Sequence, residues 1–123
     1  MRGKGRCVTV VDDDNGMRSA LGQLLLAAGF EVTTFSSAEE FLGDKTSAKA
    51  ACLVLDVHLP GLSGFELCEQ LHRSSGEPPV IFITAHDDPP TRACATRLGA
   101  AAYLAKPFAG RRLLDELSRL TPK

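Results

Sequence analysis

Three short apolar runs rich in β-branched residues constrain this chain more than any other feature: Cys7-Val-Thr-Val-Val11, Ala51-Cys-Leu-Val-Leu55 and Val80-Ile-Phe-Ile83. Their apolarity is continuous rather than alternating, which predicts strands covered on both faces, as in a buried parallel sheet. Glu31-Val-Thr-Thr-Phe35 is more polar, as an edge strand is, and Ala100-Ala-Ala-Tyr-Leu104 takes its strand assignment mainly from its place in the pattern.

Helix-like segments separate these runs. Met17, Leu21, Leu24, Leu25 and Ala28 fall on one helical face, with Gly29 placed as a C-terminal cap. Ser37 with Glu40, and Ser63 with Glu66, are capping boxes that open two further helices. Asp88-Pro89 starts a fourth helix, closed at Leu98-Gly99, since Asp caps well and proline is tolerated in the first turn. A fifth, from about Ala109, offers Leu113, Leu114, Leu117 and Leu120 to the core. The order is β-α repeated five times with short connections, which predicts an α/β domain with a parallel sheet between helices.

Composition narrows the class. At 123 residues and 44% hydrophobic the chain suffices for one core and one domain. Fourteen Lys+Arg against fifteen Asp+Glu, with no long basic run, argue against direct nucleic-acid binding. No apolar run reaches the ~18 residues of a membrane span, and Met1-Arg-Gly-Lys-Gly-Arg6 leads into a strand rather than a signal core, so a cytoplasmic location is expected. Cys7, Cys52, Cys68 and Cys94 stand singly without metal-site spacing and read as reduced, mostly buried thiols.

In such sheets function gathers at the carboxyl ends of strands. There the chain places Asp12-Asp13-Asp14, Asp56, Thr84 and Lys106-Pro107. Clustered carboxylates repel unless a cation compensates, and a hard divalent ion such as Mg²⁺ suits oxygen ligands. A carboxylate nucleophile, a metal, an ammonium and a hydroxyl together form the environment an aspartate needs to accept a phosphoryl group. Taken alone, Asp12 to Asp14 read equally well as helix caps, whereas Asp56 is more often turn chemistry and Thr84 and Lys106 most often solvated surface. The conjunction at four strand ends favours phosphoryl chemistry.

These residues resemble the receiver domain of two-component response regulators over residues 6–120. The resemblance rests on Val10-Val11-Asp12-Asp13, Leu55-Asp56-Val57-His58-Leu59-Pro60-Gly61-Leu62-Ser63-Gly64, Ile83-Thr84-Ala85 and Lys106-Pro107-Phe108. Phe35-Ser-Ser-Ala-Glu-Glu-Phe-Leu42 and Thr84-Ala-His-Asp-Asp88 look most like the FixJ-like branch. The resemblance implies a doubly wound (βα)5 fold of the flavodoxin/CheY-like type, sheet order 2-1-3-4-5, filling residues 1–123 as one receiver. It implies that Asp56 is the phosphoacceptor, served by a sensor histidine kinase. Asp13 and Asp56 would hold Mg²⁺ (or Mn²⁺) directly, Asp12 through water, and His58 through its backbone carbonyl. Thr84 and Lys106, with a cis peptide to Pro107, would engage the phosphoryl group, and Tyr103 would change rotamer as the readout. The fourth helix, fifth strand and fifth helix would then govern a phosphorylation-dependent homodimer or contact with an output domain outside this chain. Without the resemblance, Tyr103 reads as a half-buried aromatic with a wet hydroxyl.

Two features stand apart. His58 and His86 each lie two residues beyond a phosphoryl-pocket residue, where imidazoles would shield or orient the attacking water and make the phosphorylated lifetime vary between about pH 6 and 8. Two exposed histidines without kinetic role are an equal reading. Pro89-Pro90 stiffens the entry to the fourth helix. Among rival readings, an aspartyl-nucleophile phosphatase usually carries a second Asp where His58 stands, a degenerate receiver would lack part of the acidic set, and a nucleotide-binding Rossmann unit would carry GxGxxG after the first strand.

Overall fold

The computed structural model describes residues 6–44, 50–73 and 77–121. Met1 to Gly5, on which most of the expectation about a signal core bears, and Pro122-Lys123 lie outside the described residues. Five strands alternate with five helices: β1 (Cys7–Val11), α1 (Asn15–Ala27), β2 (Glu31–Phe35), α2 (Ala38–Gly43), β3 (Cys52–Asp56), α3 (Gly64–His72), β4 (Val80–Thr84), α4 (Pro89–Arg97), β5 (Ala102–Ala105) and α5 (Gly110–Leu120). The strands form one parallel sheet in the order β2-β1-β3-β4-β5, as expected.

The continuous apolar runs are divided between two faces by the two-residue period of a strand. Val8, Val10, Cys52, Val54, Ile81 and Ile83 pack with Leu21 and Leu25 of α1 and Leu113 and Leu117 of α5. Val11, Leu53, Leu55, Val80 and Phe82 pack with Phe41 of α2, Leu67 of α3 and Ala95 of α4. Helices therefore cover both faces, and β1, β3 and β4 are buried along nearly their whole length. β2, at the edge, is largely exposed or half-buried, which accounts for its polar sequence.

Several local expectations shift. β3 starts at Cys52 and runs through Asp56, and β4 runs through Thr84, so both polar residues belong to the sheet ladder. β5 begins two residues late, at Ala102: the Ala100 N–H turns back to the Ala95 carbonyl at the end of α4, and the Ala101 N–H makes the first bond to β4, at the Val80 carbonyl. Ala28 does not join the buried face of α1. It is the exposed C-cap residue, its N–H turned back to the carbonyls of the last turn, and Gly29 follows at φ +95°. The Ser63–Glu66 capping box closes in both directions, whereas at Ser37 only half forms: Ser37 Oγ accepts from Glu40 N–H, and the Glu40 carboxylate goes to the N–H and hydroxyl of Ser36. Leu114 and Leu120 are half-buried, with Leu113 and Leu117 carrying the α5 core contact. All four cysteines are free thiols: Cys52 and Cys68 are buried, Cys7 and Cys94 half-buried. Among the described residues no helix is long and apolar enough to cross a membrane.

Candidate functional site

The carboxyl ends of β1, β3, β4 and β5 lie side by side, and the chain extends their pairing one step past the strands. Asp12 N–H donates to the Phe35 carbonyl at 3.1 Å, Val57 N–H to the Ile83 carbonyl at 2.9 Å, and Lys106 N–H to the Thr84 carbonyl at 2.7 Å. Three of these ends then turn by the same device. A side-chain oxygen accepts the N–H two residues on: Asp12 Oδ1 from Asp14 at 2.9 Å, Asp56 Oδ1 from His58 at 3.0 Å, and Thr84 Oγ1 from His86 at 3.0 Å. Each bond fixes its side chain over the sheet edge.

Carboxylate oxygens of Asp12, Asp13 and Asp56 lie within 4.8 Å of one another. Asp12 is fully buried and Asp56 is 5% exposed, while Asp13 is open to solvent. Lys106 reaches in from β5, its Nζ donating to Asp12 Oδ2 at 3.0 Å and to Asp56 Oδ2 at 3.2 Å. Burial pushes the Asp56 carboxyl above its ordinary range, and neighbouring Asp12 adds to this, while the His58 N–H and Lys106 oppose it. Burial would lower the Lys106 ammonium, but the Asp12 and Asp56 carboxylates prevail and hold it above its ordinary value. Three carboxylates facing one ammonium leave excess negative charge in a site of hard oxygen donors, a set that fits a divalent cation.

Not every acidic residue joins. Asp14 is the N-cap of α1, its Oδ1 accepting from Met17 N–H at 3.1 Å, so the cap reading holds for it and the cluster reading for Asp12 and Asp13. Thr84 is fully buried beside the Asp56 strand end. The Lys106–Pro107 bond is cis, as the sequence motif suggested. His58 and His86 are exposed, and their rings meet edge to face with centroids 5.0 Å apart at 88°.

Sequence reasoning gave no role to three residues, quoting Gly64 and Asp87 only as members of motifs and Arg92 not at all. Gly64 begins α3 against the site: a Cβ there would come 2.2 Å from the Asp56 carbonyl oxygen, so only glycine permits this approach. Asp87 and Arg92 surround Tyr103. Tyr103 Oη donates to Asp87 Oδ1 at 3.1 Å, Arg92 holds both Asp87 oxygens, and its guanidinium lies 5.8 Å from the Tyr103 ring centroid. The signal for Gly64 was its position next to the Ser63 cap; a loop-to-helix ion pair such as Asp87–Arg92 leaves no periodic trace.

Comparison with known proteins agrees with this geometry. The model of the response regulator receiver domain matches residues 8–118. Nodulation protein W of Bradyrhizobium diazoefficiens is 43% identical over 116 residues, covering 94% of this chain and 51% of that protein. The transcriptional regulatory protein FixJ of the same organism is 41% identical over 106 residues, covering 86% of this chain and 52% of that protein. The chain thus spans about half the length of these curated relatives. Among solved structures, the BeF3-activated DrrB receiver domain superposes with a TM-score of 0.87 at 32% identity, covering 96% of this chain and 98% of that one. Response regulator StyR gives 0.85 at 46% identity, over 94% of this chain and 58% of that one. With the strand order, the acidic cluster and the Lys106 contact already in place, the chain belongs to the response regulator receiver domains of two-component systems.

Proposed function

We propose that the chain is a single cytoplasmic receiver, residues 1–123 with a core of 6–120, whose Asp56 accepts a phosphoryl group from the phosphohistidine of a sensor kinase. The carrying observation is the Asp56 carboxylate, anchored by the His58 N–H at one oxygen and faced by Lys106 at the other, beside Asp12 and Asp13. An Asp56 oxygen attacks phosphorus, the P–N bond to the donor imidazole breaks, and that imidazole takes up a proton. Hydrolysis reverses the modification: water attacks phosphorus, the P–O bond breaks, and inorganic phosphate leaves. Asp12, Asp13, Asp56 and the His58 carbonyl would hold Mg²⁺ (or Mn²⁺), which when bound neutralises phosphoryl oxygens. Lys106 supplies a second positive charge on the incoming group, and Thr84 supplies a hydroxyl to one of its oxygens.

Phosphorylation converts the Asp56 carboxylate into an acyl phosphate of roughly -2, a gain of about one negative charge carried on new phosphoryl oxygens at the β3 end, and it biases the fold through Thr84 and Lys106, whose contacts depend on that group. Tyr103 reports the change to the α4-β5-α5 face, where a second copy or an output domain outside these residues would bind. The partner organisation is supported by relatives named as transcriptional regulatory proteins, of which the matched segment makes up about half. His58 and His86, whose rings pack edge to face two residues beyond Asp56 and Thr84, would shield or orient the attacking water and make the phosphorylated lifetime vary between about pH 6 and 8. A His58→Ala, His86→Ala double variant that loses its phosphoryl group at the wild-type rate across that range would contradict this role.

The test of the whole reading uses Mg²⁺ and acetyl phosphate as donor. Intact mass should show one phosphoryl adduct on wild type, none without divalent metal, and none on Asp56→Asn. An adduct unaffected by chelation, or no adduct at all, would refute it.

A further inference from the structure

Tyr103 is the single tyrosine of a chain without tryptophan, and both its ring and its hydroxyl are held from one side. Asp87 Oδ1 accepts from Tyr103 Oη at 3.1 Å and from Arg92 Nε at 3.2 Å, while Asp87 Oδ2 accepts from Arg92 Nη2 at 2.5 Å. The bidentate fork fixes the plane of the Asp87 carboxylate and therefore the direction in which it can receive the phenol. The same guanidinium stands 5.8 Å from the ring centroid, within cation–π range. Asp87 and Arg92 also line two surface pockets, one of about 580 Å³ shared with Tyr103 and Phe108 and one of about 410 Å³ against α4.

We infer that Asp87 and Arg92 are positioning residues that tether Tyr103 outward and so set how readily phosphorylation turns the receiver on. This rests on the receiver reading above, in which Tyr103 is the readout. For Tyr103 to turn to another rotamer, its hydroxyl must give up Asp87 and its ring must leave the guanidinium. Every contact made only in the tethered state stabilises that state, and its loss shifts the balance toward the turned one. Arg92 acts mainly through Asp87, because both of these hydrogen bonds go to the carboxylate, and it adds its own contact with the ring face. The pair is solvent-exposed, 63% for the Arg92 side chain and 28% for Asp87, so its influence is a few-fold bias rather than an absolute lock.

The single tyrosine makes the tether directly observable, since a carboxylate acceptor quenches phenol emission and no indole obscures it. The experiment titrates the full chain, in Mg²⁺, with beryllofluoride as the phosphoryl mimic, and follows tyrosine emission, with Tyr103→Phe as the blank. Asp87→Ala should raise resting emission and lower the half-saturating beryllofluoride concentration a few-fold. Arg92→Ala should do the same to a smaller extent, and the double variant should exceed Asp87→Ala by less than the full Arg92→Ala effect. Resting emission and midpoints equal to wild type in both single variants would overturn the tether, as would strictly additive effects in the double variant. If wild type still takes an acetyl phosphate adduct at Asp56, that failure is the tether's alone. Absence of both the adduct and any beryllofluoride response would instead remove the receiver reading, and the tether with it.

Discussion

Lys106 Nζ lies 3.2 Å from Asp56 Oδ2, joining strand ends fifty residues apart in sequence. The same ammonium donates to the fully buried Asp12 at 3.0 Å, so one cation compensates two desolvated carboxylates. Removing it leaves each carboxylate its backbone N–H but takes away the opposite charge, the costly case for buried ion pairs. Lys106→Ala is expected to lose about 3 kcal/mol of stability in urea unfolding without metal, with added Mg²⁺ restoring part of the loss by binding the folded state. A variant as stable as wild type would show that Lys106 is not the compensating charge.

Gly64 tests the close approach behind the nucleophile. Because an added Cβ would meet the Asp56 carbonyl oxygen at 2.2 Å, α3 or the β3 end must move. Gly64→Ala should cost at least about 2 kcal/mol in chemical denaturation and slow phosphorylation by acetyl phosphate. Unchanged stability would mean that this helix start has room to spare.

The four thiols should divide by burial. Desolvation pushes Cys52 up to about 12 and Cys68 up to about 11, so neither forms the reactive thiolate near neutrality. Native alkylation at pH 8 followed by peptide mapping should modify Cys7 and Cys94 first, with Cys52 and Cys68 labelled only after denaturation. Rapid native labelling of Cys52 would contradict the packing of the β1–β3–β4 core.

Acid should open the Tyr103 contact. Arg92, and after it the Tyr103 hydroxyl, hold the Asp87 carboxyl below its ordinary range, so the folded chain binds that proton less readily than the unfolded one. The stabilisation is full above the ordinary carboxylate range near pH 4 and is lost as pH falls below it through the lower folded value. Tyrosine emission should therefore stay flat from about pH 6 to 8 and rise only below about pH 4, while far-ultraviolet circular dichroism remains native. A rise near neutrality would place another titrating group in control.

Much of this architecture was readable from patterning, and the exceptions have physical causes. The three continuous runs located β1, β3 and β4 because a strand buried on both faces needs apolar residues in every register. Their ends were harder to read: Asp56 and Thr84 look like loop residues, yet both sit in the ladder with side chains bent back onto the N–H two residues on. Periodicity implied a parallel sheet, whereas its order came only with the family motifs. The acidic run mixed two jobs that spacing does not separate, Asp12 and Asp13 in the cluster and Asp14 on the helix end. Asp87 and Arg92 were invisible because their partners come from a loop, a helix and a strand.

The central claim is that Asp56, among fifteen acidic residues, is the one that becomes an acyl phosphate. Treating the acetyl phosphate-modified chain with borohydride reduces an aspartyl phosphate to homoserine and leaves unmodified carboxylates intact. Peptide sequencing by mass spectrometry should then find homoserine at position 56 and at no other aspartate. Homoserine at Asp12 or Asp13, or reduction that survives Asp56→Asn, would contradict the account.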